Sequence, residues 1–352
     1  MKTEHILIIR FSAMGDVAMT VPVVYSLARQ YPHLRISVLS KPFAHAFYDE
    51  LAPNVEFMAA DLKNDYQHIR GLNKLFRRLI AKQFTAVADF HDVLRTKYLR
   101  LRFCLDGGFK VAHINKHHTE KRLLTKRESK RLTPIQSSFQ NYADVLAQLG
   151  YPIHIQFTSI FEDKNISLKV LTENIGERKC HEYWIGIAPF AAHKGKIYPL
   201  NLMENTIHNI QEKYKNIRIF LFGGSDAEKN ILTQWTQKYN CCTSVPCVLK
   251  GLQQELILMS QLNAMISMDS ANMHLASLVN IPVISIWGAT HPYAGFMGWN
   301  QSIDNAVQID MSCRPCSIYG NKPCFREDYA CLNNIKSKQI IKKLDKILNT
   351  KN

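Results

Sequence analysis

Residues 264–288 read AMISMDSANMHLASLVNIPVISIWG, and this stretch sets the fold class. Two short apolar runs, AMISM and PVISIWG, flank a segment with helical spacing, ANMHLASLVN. A strand that passes to a helix and back to a strand in so few residues is the unit of a parallel sheet. The turn after the first strand carries Asp269 and Ser270, and the helix starts at once. Its first N–H groups therefore face the space above the carboxyl edge of the sheet, where they can receive a phosphate with help from the helix dipole. The Ser270 hydroxyl and the Ala271 backbone are natural donors, and His274 lies one turn further on the same side. Plainer roles stay open: a helix cap for Asp269 and Ser270, and a packed core histidine for His274.

The alternation continues outward. YWIGIAPF and IRIFLFGG read as strands, with helices at LNLMENTIHNIQEKYK, DAEKNILTQWTQKY and QQELILMSQL. In the first half, HILIIRF, RISVLS, VEFMAA and TAVADFH read as strands. VPVVYSLARQYP, a stretch near AHAFYDELAP, and IRGLNKLFRRLIAKQF read as the helices between them. SSFQNYADVLAQLGYP is a helix stopped by Gly150 and Pro152, and SKQIIKKLDKILN is a final amphipathic helix. The pattern restarts after about residue 160. It predicts two Rossmann-like α/β domains facing each other across a cleft, over 1–165 and 166–335, with a C-terminal helix over 336–352.

The 352 residues are 46% hydrophobic and 21% charged, which suits two buried cores and excludes a disordered chain. No apolar run reaches the length of a membrane span. The N-terminus, MKTEHILIIRF, has only ILII before Arg10 and no small-residue cleavage site, so a cytoplasmic protein is expected rather than a secreted one. Nine scattered cysteines fit a reducing compartment. The net charge of +15 is uneven: from Arg95 to Arg131, twelve Lys and Arg stand against Asp106, Glu120 and Glu128, a local +9. That segment is either a solvated basic face or a surface for an anionic partner. Its aromatic residues are Tyr98, Phe103 and Phe109, with no zinc-finger, RRM or helix-turn-helix pattern, which favours lipid phosphate over nucleic acid. Within it, HINKHHTEKRLLTKRESKRL reads as a mobile loop or partial helix.

Three further strand ends carry chemistry. IIRFSAMGDVAMTVPVV, from Ile8, places Asp16 where a strand hands over to a helix, as a cap or as a base at the sheet rim. GIAPFAAHKGKIYPL carries Lys194 and Lys196, an exposed pair or a cation over a diphosphate. FLFGGSDAEKN puts Gly223 and Gly224 where backbone can approach a ligand, with Glu228 in the next helical turn to take ribose hydroxyls or complement the dipole. Only Gly15 follows the first strand, so there is no G-x-G-x-x-G for a dinucleotide, and no Walker A motif is present.

Together RFSAMGDVAMTVPVV, KIYP with its lysine loop, FGGSDAEKN and MDSANMHLASLVNIPVISIWGATHP resemble the ADP-heptose:lipopolysaccharide heptosyltransferases, glycosyltransferase family 9, over nearly the whole chain. The resemblance implies the GT-B fold, an acceptor-binding N-terminal domain and a nucleotide-sugar-binding C-terminal one. It implies Asp16 as general base in an inverting transfer from ADP-heptose to the lipopolysaccharide core, and Lys196 on the donor diphosphate. Donor contacts would come from Gly15, Lys194, Gly223, Gly224, Glu228, Asp269, Ser270, Ala271 and His274. Ala271 replaces the family's usual glycine, and Ala191 and Ala192 stand where Thr or Ser is common. Ser12, Arg95, Lys121 and Arg122 would meet a phosphorylated lipid acceptor at the inner face of the inner membrane. Lys196 and the helix start supply the positive charge, so no cofactor or metal is required, and a monomer without nucleic acid is expected.

CRPCSIYGNKPCFREDYAC adds Cys313, Cys316, Cys324 and Cys331, either a four-thiolate zinc site or reduced structural thiols. Two other readings of the chain remain: a non-catalytic protein that binds an anionic polymer through the basic segment, and a sugar-nucleotide epimerase of the same architecture.

Overall fold

The computed structural model describes residues 4–162 and 164–350. Residues 1–3 and 351–352, the outer ends of the expected first domain and C-terminal helix, lie outside the described residues, as does Asp163. The chain forms two compact units. One runs up to Lys116 and takes in Gln136–Ile160; the other holds His117–Ile135 and everything from Phe161 onward.

In the first unit five strands form a parallel sheet: β1 (His5–Ile9), β2 (Arg35–Ser40), β3 (Val55–Ala59), β4 (Ala86–Asp89) and β5 (Lys110–His113), ordered β3-β2-β1-β4-β5. β1 and β4 are buried along their whole length, as central strands covered on both faces must be. The order reverses between β1 and β4. At such a switch point the connections leave to opposite faces and open a crevice at the carboxyl ends. Helices His68–Ile80 and Leu94–Asp106 close one face through Leu75, Phe76, Leu79, Leu99 and Phe103, packed with Leu7, Ile9 and Val87.

The second unit has six parallel strands: β6 (Tyr183–Ala188), β7 (Ile217–Leu221), β8 (Cys242–Ser244), β9 (Ala264–Met268), β10 (Val283–Ile286) and β11 (Ala306–Val307). Their order is β11-β10-β9-β6-β7-β8, with the reversal between β6 and β9. Helix Ser337–Asn349 is no separate element. Ile340, Leu344, Ile347 and Leu348 join the same core as Ile207, Ile210, Ile266 and Ile284.

The residues 117–135, expected within the first domain, belong to the second unit. The segment read as a mobile loop or partial helix forms a short helix, His118–Leu124, and is then tied down: Lys130 Nζ donates to the Ser312 carbonyl (3.1 Å) and Ile135 N–H to the Tyr293 carbonyl (2.8 Å). Among the described residues no helix is long and apolar enough to cross a membrane.

Candidate active site

At the first switch point, the chain leaves β1 through Arg10 and turns into a five-residue helix, Met14–Ala18. Asp16 is its third residue, and its side chain is about one-third exposed. Its Oδ2 accepts the Ala13 N–H (2.9 Å), a capping bond, and pairs with the Arg10 guanidinium (2.9 Å). Arg10 is buried and also donates to the Phe90 carbonyl (2.6 Å), so the end of β4 fixes the cation that holds Asp16. Both openings for Asp16 are therefore combined: it caps, and it stands as a carboxylate beside a fixed cation at the rim.

His91, just past β4, completes this corner and is absent from the residues singled out in the sequence. Its Nδ1 accepts the Phe11 N–H (3.4 Å), and its Nε2 lies 3.4 Å from Ser12 Oγ. Burial, reinforced by Arg10, pushes its pKa down to about 3, against the opposing pull of Asp16. It is a neutral imidazole at physiological pH. The fully buried Asp89 accepts the N–H groups of His91 and Asp92 (both 2.9 Å) and fixes the turn that presents it. A lone histidine after a strand carries no pattern; only the strand order reveals that it flanks the switch point.

At the second switch point, β6 runs into the loop that ends in the turn Lys194–Lys196, and β9 runs into Asp269. Because β6 and β9 are neighbours, with Ala188 opposite Ser267, the two loops meet. Lys196 Nζ lies 3.0 Å from Asp269 Oδ2, with the aspartate side chain only 4% exposed. Lys194 points elsewhere, its ammonium 5.0 Å from the Tyr329 ring centre. Of the two lysines, Lys196 alone is paired with Asp269 here.

Helix Ala271–Leu278 starts beside this pair. Ser270 occupies its N-cap position but makes no side-chain capping bond; its hydroxyl lies 3.3 Å from that of Ser267. The first-turn N–H groups thus receive no side-chain oxygen from the cap. His274 is buried one turn on.

The glycine loop after β7 reads differently. Glu228 Oε2 accepts the N–H groups of Gly224 (2.7 Å) and Ser225 (2.9 Å), and Ser225 Oγ accepts the Glu228 N–H (3.3 Å). This reciprocal capping box commits one Glu228 oxygen to the helix start. Gly223 is there for space, since a Cβ would lie 3.1–3.2 Å from Leu232, Glu228 and Phe190.

The cysteine segment proves to be a brace. Cys313, Cys316, Cys324 and Cys331 line one cavity, all as free thiols. Among the described residues no group of three or more His, Cys, Asp or Glu is disposed to hold a metal ion, so the zinc alternative finds no assembled site. Burial raises the Cys316 thiol and pushes Cys331 up to about 11, which keeps both protonated. Between them Arg314 is buried and donates to the carbonyls of Ile309 (2.6 Å) and Thr290 (2.9 Å) and to that of Gly288. Gly320, at φ +73°, lies on the stem of Lys196: a Cβ there would be 2.4 Å from Lys196 Cγ. The brace thus reaches Lys196 directly.

The expected acceptor contacts do not share one unit. Ser12 and Arg95 are in the first; Lys121 and Arg122 are in the second, on His118–Leu124, with the Lys121 ammonium 5.0 Å from the Phe296 ring centre.

The model of glycosyltransferase family 9 (heptosyltransferase) matches residues 72–323. The chain belongs to glycosyltransferase family 9. Relatives in this family include lipooligosaccharide heptosyltransferase 2 of Campylobacter jejuni, 20% identical over 95% of this chain and 96% of its own length. Lipopolysaccharide heptosyltransferase 3 of Escherichia coli is 24% identical over 84% of each chain. Among solved structures, a family 9 glycosyltransferase from Veillonella parvula superposes with a TM-score of 0.73 at 18% identity, covering 99% of this chain and 98% of its own. E. coli heptosyltransferase WaaC with ADP superposes with a TM-score of 0.67 at 16% identity, covering 97% and 99%. The family 9 enzyme is a glycosyltransferase with the GT-B fold, as the sequence resemblance implies.

Proposed function

We propose that this enzyme transfers heptose from ADP-heptose to a phosphorylated inner-core lipid of lipopolysaccharide at the inner face of the inner membrane, with inversion. The observation that carries the reading is the Lys196–Asp269 pair beside a helix start whose cap residue makes no side-chain capping bond. A cation beside an uncapped helix start can form a receptor for a diphosphate. Asp269 holds the ammonium there before the ligand arrives, so little reorganisation is needed when charge develops.

In this reading an acceptor hydroxyl oxygen attacks the anomeric carbon of the donor. The bond from that carbon to the diphosphate oxygen breaks, and the electron pair leaves on the phosphate toward Lys196 and the N–H groups at Ala271. The hydroxyl proton passes to Asp16, which is paired with Arg10. One displacement from the face opposite the leaving group inverts the anomeric centre. Neutral His91 holds the Phe11–Ser12 turn beside Asp16 and adds no positive charge to compete for its electron pair. Relatives named as lipopolysaccharide and lipooligosaccharide heptosyltransferases, and WaaC structures with ADP and with an ADP-fluoroheptose, support the donor class.

A thermal-shift series tests the donor. ADP and ADP-heptose should stabilise the protein and UDP-sugars should not. NMR of the product's anomeric proton tests inversion. Stabilisation by UDP-sugars alone would replace the donor and favour the epimerase-like reading.

A further inference from the structure

We infer that helix Leu94–Asp106 is a membrane-docking element that inserts a row of leucines into an anionic lipid surface. The fold uses one face of this helix: Thr96, Leu99 and Phe103 are buried, and the last two join the core. The opposite face is also apolar. Leu94, Leu101 and Leu105 are 86%, 55% and 74% exposed. At about 100° per residue, their side chains fall within about 20° of a single line. Scattered exposed leucines are ordinary, but an aligned row opposite the core face has no role in packing.

The charges around the row name the partner. Arg95 and Arg102 flank it on one side and Lys97 on the other. The neighbouring helix, His68–Ile80, is fixed alongside through Asn73, which accepts from Tyr98 (2.7 Å) and from Arg102. That helix adds Arg70, Lys74, Arg77 and Arg78, carries no carboxylate, and exposes Ile69 to 64% one turn before Asn73. A leucine row bordered by cations is the pattern of a helix lying in the plane of an anionic bilayer surface, leucines down and charges at the headgroups. A nucleic acid would engage the cations but leave the leucines in water, where they cost free energy.

Flotation of the full chain with vesicles tests this. Wild type should float with phosphatidylcholine vesicles containing phosphatidylglycerol and much less with pure phosphatidylcholine. The surface variant Leu94→Gln/Leu101→Gln/Leu105→Gln should lose on the order of a hundredfold in partitioning, because roughly three leucine side chains no longer leave water. The variant Arg70→Gln/Lys74→Gln/Arg77→Gln should lose mainly the preference for the anionic lipid. Both should keep the wild-type melting profile and the wild-type response to ADP, which reads the second unit. Equal flotation of the leucine variant and wild type, no flotation of wild type, or binding to single-stranded RNA that survives loss of the leucines while flotation is absent would each overturn the inference. The ADP response fails or holds independently of flotation, so the donor reading and this one are judged separately.

Discussion

The two switch points place opposite charges at the same position in the sheet but wire them differently. In the first unit the pair is local: Arg10 and Asp16 both follow β1, and β4 contributes the Phe90 carbonyl and the neutral His91. In the second the pair bridges the reversal: Lys196 follows β6 and Asp269 follows β9. A local pair around one short helix leaves the carboxylate partly open to solvent and to a substrate hydroxyl. A bridging pair buries its carboxylate and presents its cation. In the proposed reading, the open carboxylate of the first unit serves as proton acceptor and the presented cation of the second as anion receptor.

The sharpest way to break the comparison is to remove the open carboxylate. Asp16→Asn keeps an oxygen for the Ala13 N–H and loses the base, and turnover should fall by about 10²–10⁴ with ADP stabilisation unchanged. Steady-state transfer and the ADP thermal shift check it. Turnover at the wild-type level would make Asp16 a cap only.

Next, Lys196→Ala should slow transfer by about 10²–10³ and weaken ADP binding, since the cation faces charge that develops on the leaving group. It also strands the buried Asp269 carboxylate, which should cost on the order of 3 kcal/mol in stability. Asp269→Asn in the same chain should restore the stability without restoring the rate. A urea titration beside the kinetic assay separates these. Recovery of both would mean that Lys196 acts only as a structural counter-ion.

How much of this was legible in the sequence follows from burial. Central strands such as His5–Ile9 and Ala264–Met268 are nearly continuous apolar runs because both faces are covered, and they stand out. Edge strands Lys110–His113 and Cys242–Ser244 are short and partly polar and give no such signal. Helix Leu94–Asp106 hides because its apolar residues lie on two opposite faces among four cations, which erases a single stripe. Asp16, Lys196 and Asp269 are visible as residues at strand ends. Their partners are not, because pairing across a switch point is set by strand order, which no local pattern carries. At Glu228 the local pattern is the informative one: S-D-A-E at 225–228 is a capping box in plain view, and one Glu228 oxygen makes the bonds of the cap.

A smaller effect should follow from the brace. Gly320→Ala puts a Cβ against the Lys196 stem at a positive φ, so the lysine must shift. Transfer should fall about tenfold, by the logic that a misplacement of about 1 Å at a charged group is costly, with a modest loss of ADP affinity. In a Lys196→Ala background the same substitution should cost almost nothing further in rate, because the stem it strikes is gone. Additive losses would place the effect in the loop fold rather than in the lysine.

The smallest effect concerns His91 and separates the corners by pH. Its native pKa of about 3 lies well below the ordinary histidine value, because burial and Arg10 disfavour the imidazolium. Above about pH 6.5 the imidazole is neutral in both folded and unfolded chains and adds no pH dependence. As the pH falls below that, the unfolded chain takes up a proton that the folded one refuses until about pH 3. Stability must therefore decline through this window. His91→Gln, which offers an uncharged acceptor to the Phe11 N–H, should flatten that decline while leaving stability at pH 8 within about 1 kcal/mol of wild type. Urea midpoints from pH 8 to pH 4 measure it. The rate should show no limb from His91 near neutrality, since the group does not titrate there. A variant with the wild-type slope would mean that the imidazole protonates freely in the folded state, and the first corner would then carry a second cation beside Asp16.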